Sequence, residues 1–111
     1  MNFEQINKKL LKYADDYAEK YPKYKVLELE YIKNFDDLLV KGQSTFPSQP
    51  LREAHARKEI SQMDFYDEFT KLQVEINIIR THISVLKQVS ENLKTEGFRE
   101  IRTGGGDYYG K

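Results

Sequence analysis

Between Leu51 and Glu96 the chain carries neither glycine nor proline, so nothing in that stretch offers a low-cost break in a regular backbone. A long arm is the expected outcome, and its side-chain pattern is helical. From Phe69 the apolar residues Leu72, Ile76, Ile79, Ile83, Leu86 and Leu93 follow alternating steps of three and four, with Ser90 in the one missing seat. That spacing keeps one apolar stripe on one side of an α-helix, in the manner of a coiled coil. An unbroken helix over 50–96, with Gly97 as its stop, would be roughly 69 Å long at 1.5 Å per residue. Its first half is less regular, because Ile60, Met63, Tyr66, Phe69 and Leu72 are separated by successive steps of three, which makes a stripe drift around an α-helix. Ser61 and Asp64 could cap a new helix there, so a break near 61–65 is the alternative.

A second stripe precedes this arm. Phe3, Ile6, Leu10, Tyr13, Tyr17, Tyr21, Tyr24, Leu27, Tyr31, Phe35 and Leu38 recur at three or four. Asn2 with Gln5 resembles a capping box, and Lys41-Gly42 makes a basic last turn with a terminal glycine. Pro22 lies within the stripe, removes one amide donor and biases Tyr21 away from helical geometry. The stripe keeps its phase across it, so two helices of about 3–20 and 22–41 in near-continuation are expected rather than a reversal. The reversal belongs at 42–49, where Gly42, Pro47 and Pro50 gather with Ser and Thr, and Ser48 or Gln49 can cap the helix that follows.

The expected fold is therefore all-α: a long helical hairpin with a kink or break at Pro22, forming a three-helix or dimeric bundle with coiled-coil character. Residues 1–97 make the helical domain, and 98–111, with its four glycines from Gly104 onward, is expected to be a flexible tail. Leu11, Val26, Ile32, Leu39, Val74, Ile78, Val85 and Val89 stand outside the main stripes. They widen the apolar face beyond what one neighbouring helix covers, which favours a homodimer or higher oligomer.

Composition narrows the chemistry. The 18 basic and 18 acidic residues balance overall, and they balance again within 1–50, 51–95 and 96–111, so no segment is a basic arm. The chain has no cysteine, which removes thiolate catalysis, disulfides and cysteine-based metal sites. No apolar run approaches a membrane span and no leader pattern stands at Met1, so a cytoplasmic, soluble protein is expected, without a membrane.

Four constellations could carry function. Gly105-Gly106-Asp107-Tyr108-Tyr109-Gly110-Lys111 matches the letters of a phosphate loop but lacks the preceding strand, the Ser or Thr after the lysine and the following helix. His55 and Glu59 share a helical face, for which a solvated polar surface is the plainer reading. Asp16/Glu19 and Asp64/Asp67 have the spacing of magnesium-binding carboxylate pairs, but the lysines around Asp16 make a charge mosaic the simpler explanation. No cofactor, metal or catalytic residue is expected. Tyr13, Tyr17, Tyr21, Tyr24 and Tyr31 form an aromatic series suited to a packed seam or an interface. The interleaved lysines would also suit stacking on single-stranded nucleic acid, a reading weakened by the acidic residues among them.

The run Leu51-Arg52-Glu53-Ala54-His55-Ala56-Arg57-Lys58-Glu59-Ile60, leading into a Leu/Ile-rich helix that ends Leu93-Lys94-Thr95-Glu96-Gly97-Phe98, resembles small helical proteins encoded by bacteriophages. That resemblance implies an accessory role in a host cytoplasm, by binding a host or phage protein, inhibiting a host system or assisting DNA metabolism. The expected function is a non-enzymatic protein-interaction module, with Tyr13, Tyr17, Tyr21, Tyr24, Tyr31, Ile76, Ile79, Ile83, Leu86, Tyr108 and Tyr109 as the candidate interaction surface. Single-stranded nucleic-acid binding is the alternative, and a carboxylate-metal phosphohydrolase the remote one.

Overall fold

The computed structural model describes residues 1–104, and side chains as far as Gly97. Among the described residues the chain is all-α, with three helices: α1 (Phe3–Gly42), α2 (Gln49–Ile60) and α3 (Tyr66–Gly104). They pack as two compact units, one of Met1–Asp16 with the chain from Ile78 onward, the other of Tyr17–Asn77.

The 17–77 unit is a helical hairpin. Along α1, Lys20 lies near Glu75, Tyr24 against Phe69, Phe35 under Arg57, and Gly42 near Arg52. As the numbers rise on α1 they fall on its partners, so α3 and then α2 lie antiparallel along the same helix. Ala56, Ile60, Phe69, Leu72 and Ile76 are buried there. The reversal is fixed at 43–48: the Thr45 and Phe46 amides donate to the Gly42 carbonyl, and the Arg52 guanidinium donates to the Phe46 carbonyl at 3.0 Å. Gly42 serves here by close approach, since a Cβ would sit 3.3 Å from the Phe46 ring. Ser48 caps α2, its hydroxyl accepting from the Leu51 amide, with Pro50 in the first turn.

In the other unit Ile6, Ile79 and Leu86 are buried, and Tyr13 stacks on His82. The capping box at the start of α1 is formed in both directions: the Gln5 amide donates to Asn2 Oδ1 and the Asn2 amide to Gln5 Oε1, each at 2.9 Å.

Three expectations are corrected. The chain does not divide at Pro22, because α1 is one helix through that residue. Pro22 is exposed, as is Ala18, whose carbonyl loses its usual four-on donor, so water can reach that carbonyl. The helix expected over 50–96 is divided at 61–65 instead. Gly97 does not stop α3, which continues to Gly104. A Cβ at Gly97 would meet nothing within 4 Å, so no close approach requires a glycine there, and Arg99, Glu100 and Arg102 are good helix formers. The remaining tail, 105–111, lies outside the described residues.

The break at 61–65 has a geometric cause. At 100° per residue, an unbroken α-helix would put Ile60 and Ile76 about 160° apart, on opposite sides. Both are buried, with 0% and 1% of their surface exposed. The chain makes up the difference by tightening: the amides of Gln62, Met63 and Tyr66 donate three residues back, to Glu59, Ile60 and Met63. Such turns have about three residues each, which is the period of the run Ile60, Met63, Tyr66, Phe69. The steps of three in the sequence are thus the signature of this turn.

Candidate interaction surface

The tyrosine series is assembled mainly in the 17–77 unit. Tyr17 and Tyr21 stack at 4.9 Å between ring centroids, and Tyr21 meets Tyr24 at 6.4 Å in a tilted arrangement. Tyr24 and Tyr31 both stack on Phe69, at 5.6 and 5.2 Å, and Tyr31 also lies against Phe35. Phe65, in the turn just before α3, closes on Phe69. Spacings of four and three on α1 put these rings on one side of the helix, where Phe69 from α3 receives two of them. Aromatic pairs of this kind add about 0.5–1.5 kcal/mol each beyond area burial.

All five tyrosines are half-buried. Each of them engages at least one other aromatic ring. The Tyr24 hydroxyl donates to Glu28 Oε2 at 2.7 Å, while Lys25 binds the other oxygen of that carboxylate at 2.8 Å and lies over the Tyr21 ring at 5.5 Å. The hydrogen bond to the Glu28 carboxylate, with burial second, raises the Tyr24 pKa above its ordinary value. The same carboxylate raises that of Lys25. Together they form a small charged clasp at the edge of the ring stack.

Ile76 is buried in the 17–77 unit, while in the other unit Ile79 and Leu86 are buried and Ile83 is half-buried. These residues serve the chain's own seam and leave little apolar area for a visitor. Tyr13, in that other unit, stacks on His82 at 5.1 Å with the rings within 3° of parallel. Tyr108 and Tyr109 lie outside the described residues.

Apart from Phe3 on the main stripe, the apolar surface that stays open comes chiefly from residues off the main stripes. In the 17–77 unit, Val26, Leu29, Ile32 and Val40 on α1 and Val74 on α3 are exposed. In the other unit Leu11 on α1 and Ile78 and Val85 on α3 are exposed, while Val89 is half-buried. Leu29 and Val40 carry no signal in the sequence, since they lie off the core period. Leu29 lies five residues, about 140° of rotation, from Tyr24, which places it on the far side of α1. His82 as the partner of Tyr13, and Arg57 over Phe35 at 6.0 Å, needed the helix register and had no local signal.

His55 packs against Phe46 at 4.6 Å. Among the described residues no three His, Asp or Glu side chains gather as a metal site, and no helix is long and apolar enough to cross a membrane. No protein-family model, curated protein or solved structure matches this chain.

Proposed function

We infer that this chain is a non-enzymatic helical interaction protein that self-associates and engages a protein partner through apolar residues its own core leaves uncovered. The observation that carries this reading is the pair Ile78 and Val85 on α3, which are 50% and 55% exposed while Ile79 and Leu86 next to them are buried. Seven residues apart, Ile78 and Val85 stand on one side of the helix, and half-buried Val89 continues the line. Single exposed apolar residues are ordinary on a protein surface, whereas aligned ones on a helix form the seam a second helix occupies. The resemblance to bacteriophage-encoded helical proteins would imply a partner among host or phage proteins.

Nucleic-acid binding is the weaker reading. Base stacking needs free ring faces, and Tyr17, Tyr21, Tyr24 and Tyr31 each already engage at least one neighbouring aromatic ring. Lys8, Lys23 and Lys25 on α1 pair with Glu4, Glu19 and Glu28.

The test is the double variant Ile78→Lys/Val85→Lys, compared with the parent chain by light scattering after size exclusion and by capture from a bacterial lysate. The reading expects oligomers and captured partner from the parent and loss of both in the variant, with helix content unchanged. A parent that is monomeric at all concentrations and captures nothing that the variant loses would contradict it.

A further inference from the structure

We propose that the 61–65 turn is a two-state joint, whose second state is an unbroken helix from α2 into α3 that turns Ala56 and Ile60 out of the seam. The proposal is independent of what covers Ile78 and Val85.

The turn is made of ordinary parts. Its residues, Ser61, Gln62, Met63, Asp64 and Phe65, include neither glycine nor proline. Ser61, the last residue before the bend, keeps right-handed helical angles (φ −62°, ψ −14°), and its amide still donates to the Arg57 carbonyl at 3.0 Å. Departure from the helix is held by three backbone bonds that reach three residues back, Gln62 to Glu59 at 3.2 Å, Met63 to Ile60 at 2.9 Å and Tyr66 to Met63 at 3.1 Å. One side-chain bond assists, from the Ser61 hydroxyl to the Lys58 carbonyl at 2.6 Å. Converting these bonds to the four-back pattern also gives the Asp64 and Phe65 amides helical acceptors.

What opposes the change is phase. Straightening rotates α2 relative to α3 by about half a turn, so Ala56 and Ile60, both 0% exposed, leave the core. In the unbroken helix Ile60 would lie only about 40° from Val74, which is 56% exposed. The joint therefore exchanges buried apolar contacts on one side of the arm for backbone hydrogen bonds and a longer apolar stripe on the other. The observed state is the favoured one because it keeps Ile60 inside, and the second is a minor state that the intact hairpin visits.

The chain has no cysteine, so a single introduced thiol reports exposure cleanly. Ala56→Cys reads opening of the joint, and Ile76→Cys, which stays in the seam in both states, reads opening of the whole hairpin. Thiol-labelling rates are measured on the full chain in three backgrounds. Asp64 is the second residue of the four-residue turn Met63–Tyr66, a position that suits proline, and proline there removes an amide donor of the unbroken helix and so disfavours it relative to the turn. Ser61→Ala/Asp64→Ala removes the bond from the Ser61 hydroxyl to the Lys58 carbonyl and raises helix propensity across the joint. The joint predicts that Ala56→Cys labels faster than Ile76→Cys in the parent background. Asp64→Pro brings the two rates together, and the double alanine background raises the Ala56→Cys rate about fivefold while leaving the Ile76→Cys rate in place. Equal rates for the two thiols in the parent, or a ratio that the double alanine background does not raise, would overturn the proposal. If Asp64→Pro fails to fold, the double alanine background decides alone.

Discussion

Residues 17–31 and 60–76 respond to their sequences in opposite ways. The first contains a proline and stays one helix, while the second contains no helix breaker and is broken. The difference lies in which side chains must reach the core. From Tyr17 to Tyr24 the rotation in an α-helix is within about 20° of whole turns, so the ring series stays on one side without adjustment. From Ile60 to Ile76 the mismatch is about 160°, and burying both requires the backbone to change pitch. A proline in a helix interior costs about 3 kcal/mol, a sum that the ring stack and the buried seam can offset. Placing an isoleucine in water on the wrong side of the arm is a cost the chain avoids with a turn of five residues.

The largest expected effect that sharpens this contrast is at Ile60. Ile60→Ala removes the anchor that enforces the turn and should lower stability by about 2–5 kcal/mol in chemical denaturation, with the 61–65 amides becoming more helical by chemical shift. A loss below 1 kcal/mol would mean that Ile60 does not set the phase. Pro22→Ala should act in the other direction, raising stability by up to about 3 kcal/mol without altering the span of α1. Destabilisation by this change would show that the proline's shape is used in the seam.

The smallest effect concerns the clasp at the edge of the ring stack. Tyr24 and Lys25 both have pKa values raised by Glu28, so each favours its protonated form in the folded chain. Their contribution is fully present below the unfolded-state values near 10 and is lost as pH rises through the folded-state values. Thermal melts should therefore fall in Tm above about pH 10, more steeply for the parent than for Glu28→Gln. Identical alkaline slopes for the two chains would remove the clasp from the account.

Much of the fold was legible in the sequence. The stripes on α1 and α3, the reversal at 42–49 and the Asn2/Gln5 capping box all arise from local spacing and local chemistry. At two places a rule about residue types and the phase of the stripes point to different structures, and the fold follows phase. Pro22 favours a kink or division although the stripe keeps its phase through it, and the absence of glycine and proline favours an unbroken second arm, whereas the steps of three from Ile60 to Leu72 point to the alternative, a break near 61–65, which the structure has. The interaction surface was harder to read. Ile76, Ile79 and Leu86 have the spacing of a seam, but a seam inside one chain and a seam between two have the same spacing. Only the positions off the period, such as Ile78 and Val85, distinguish what is covered from what is open, and their exposure depends on the register of α1 against α3.

The central claim is that hydrophobic phase, rather than the presence of a helix breaker, decides where the second arm bends. The exchange Ile60→Ser with Ser61→Ile tests it most directly, because it moves the apolar seat by one residue, about 100°, to within about 20° of Leu72 in an unbroken helix. Backbone chemical shifts and sequential amide contacts across 58–68 should then show one continuous helix, with the three-back bonds of the turn gone. A turn that persists at 61–65 in that variant would contradict the account.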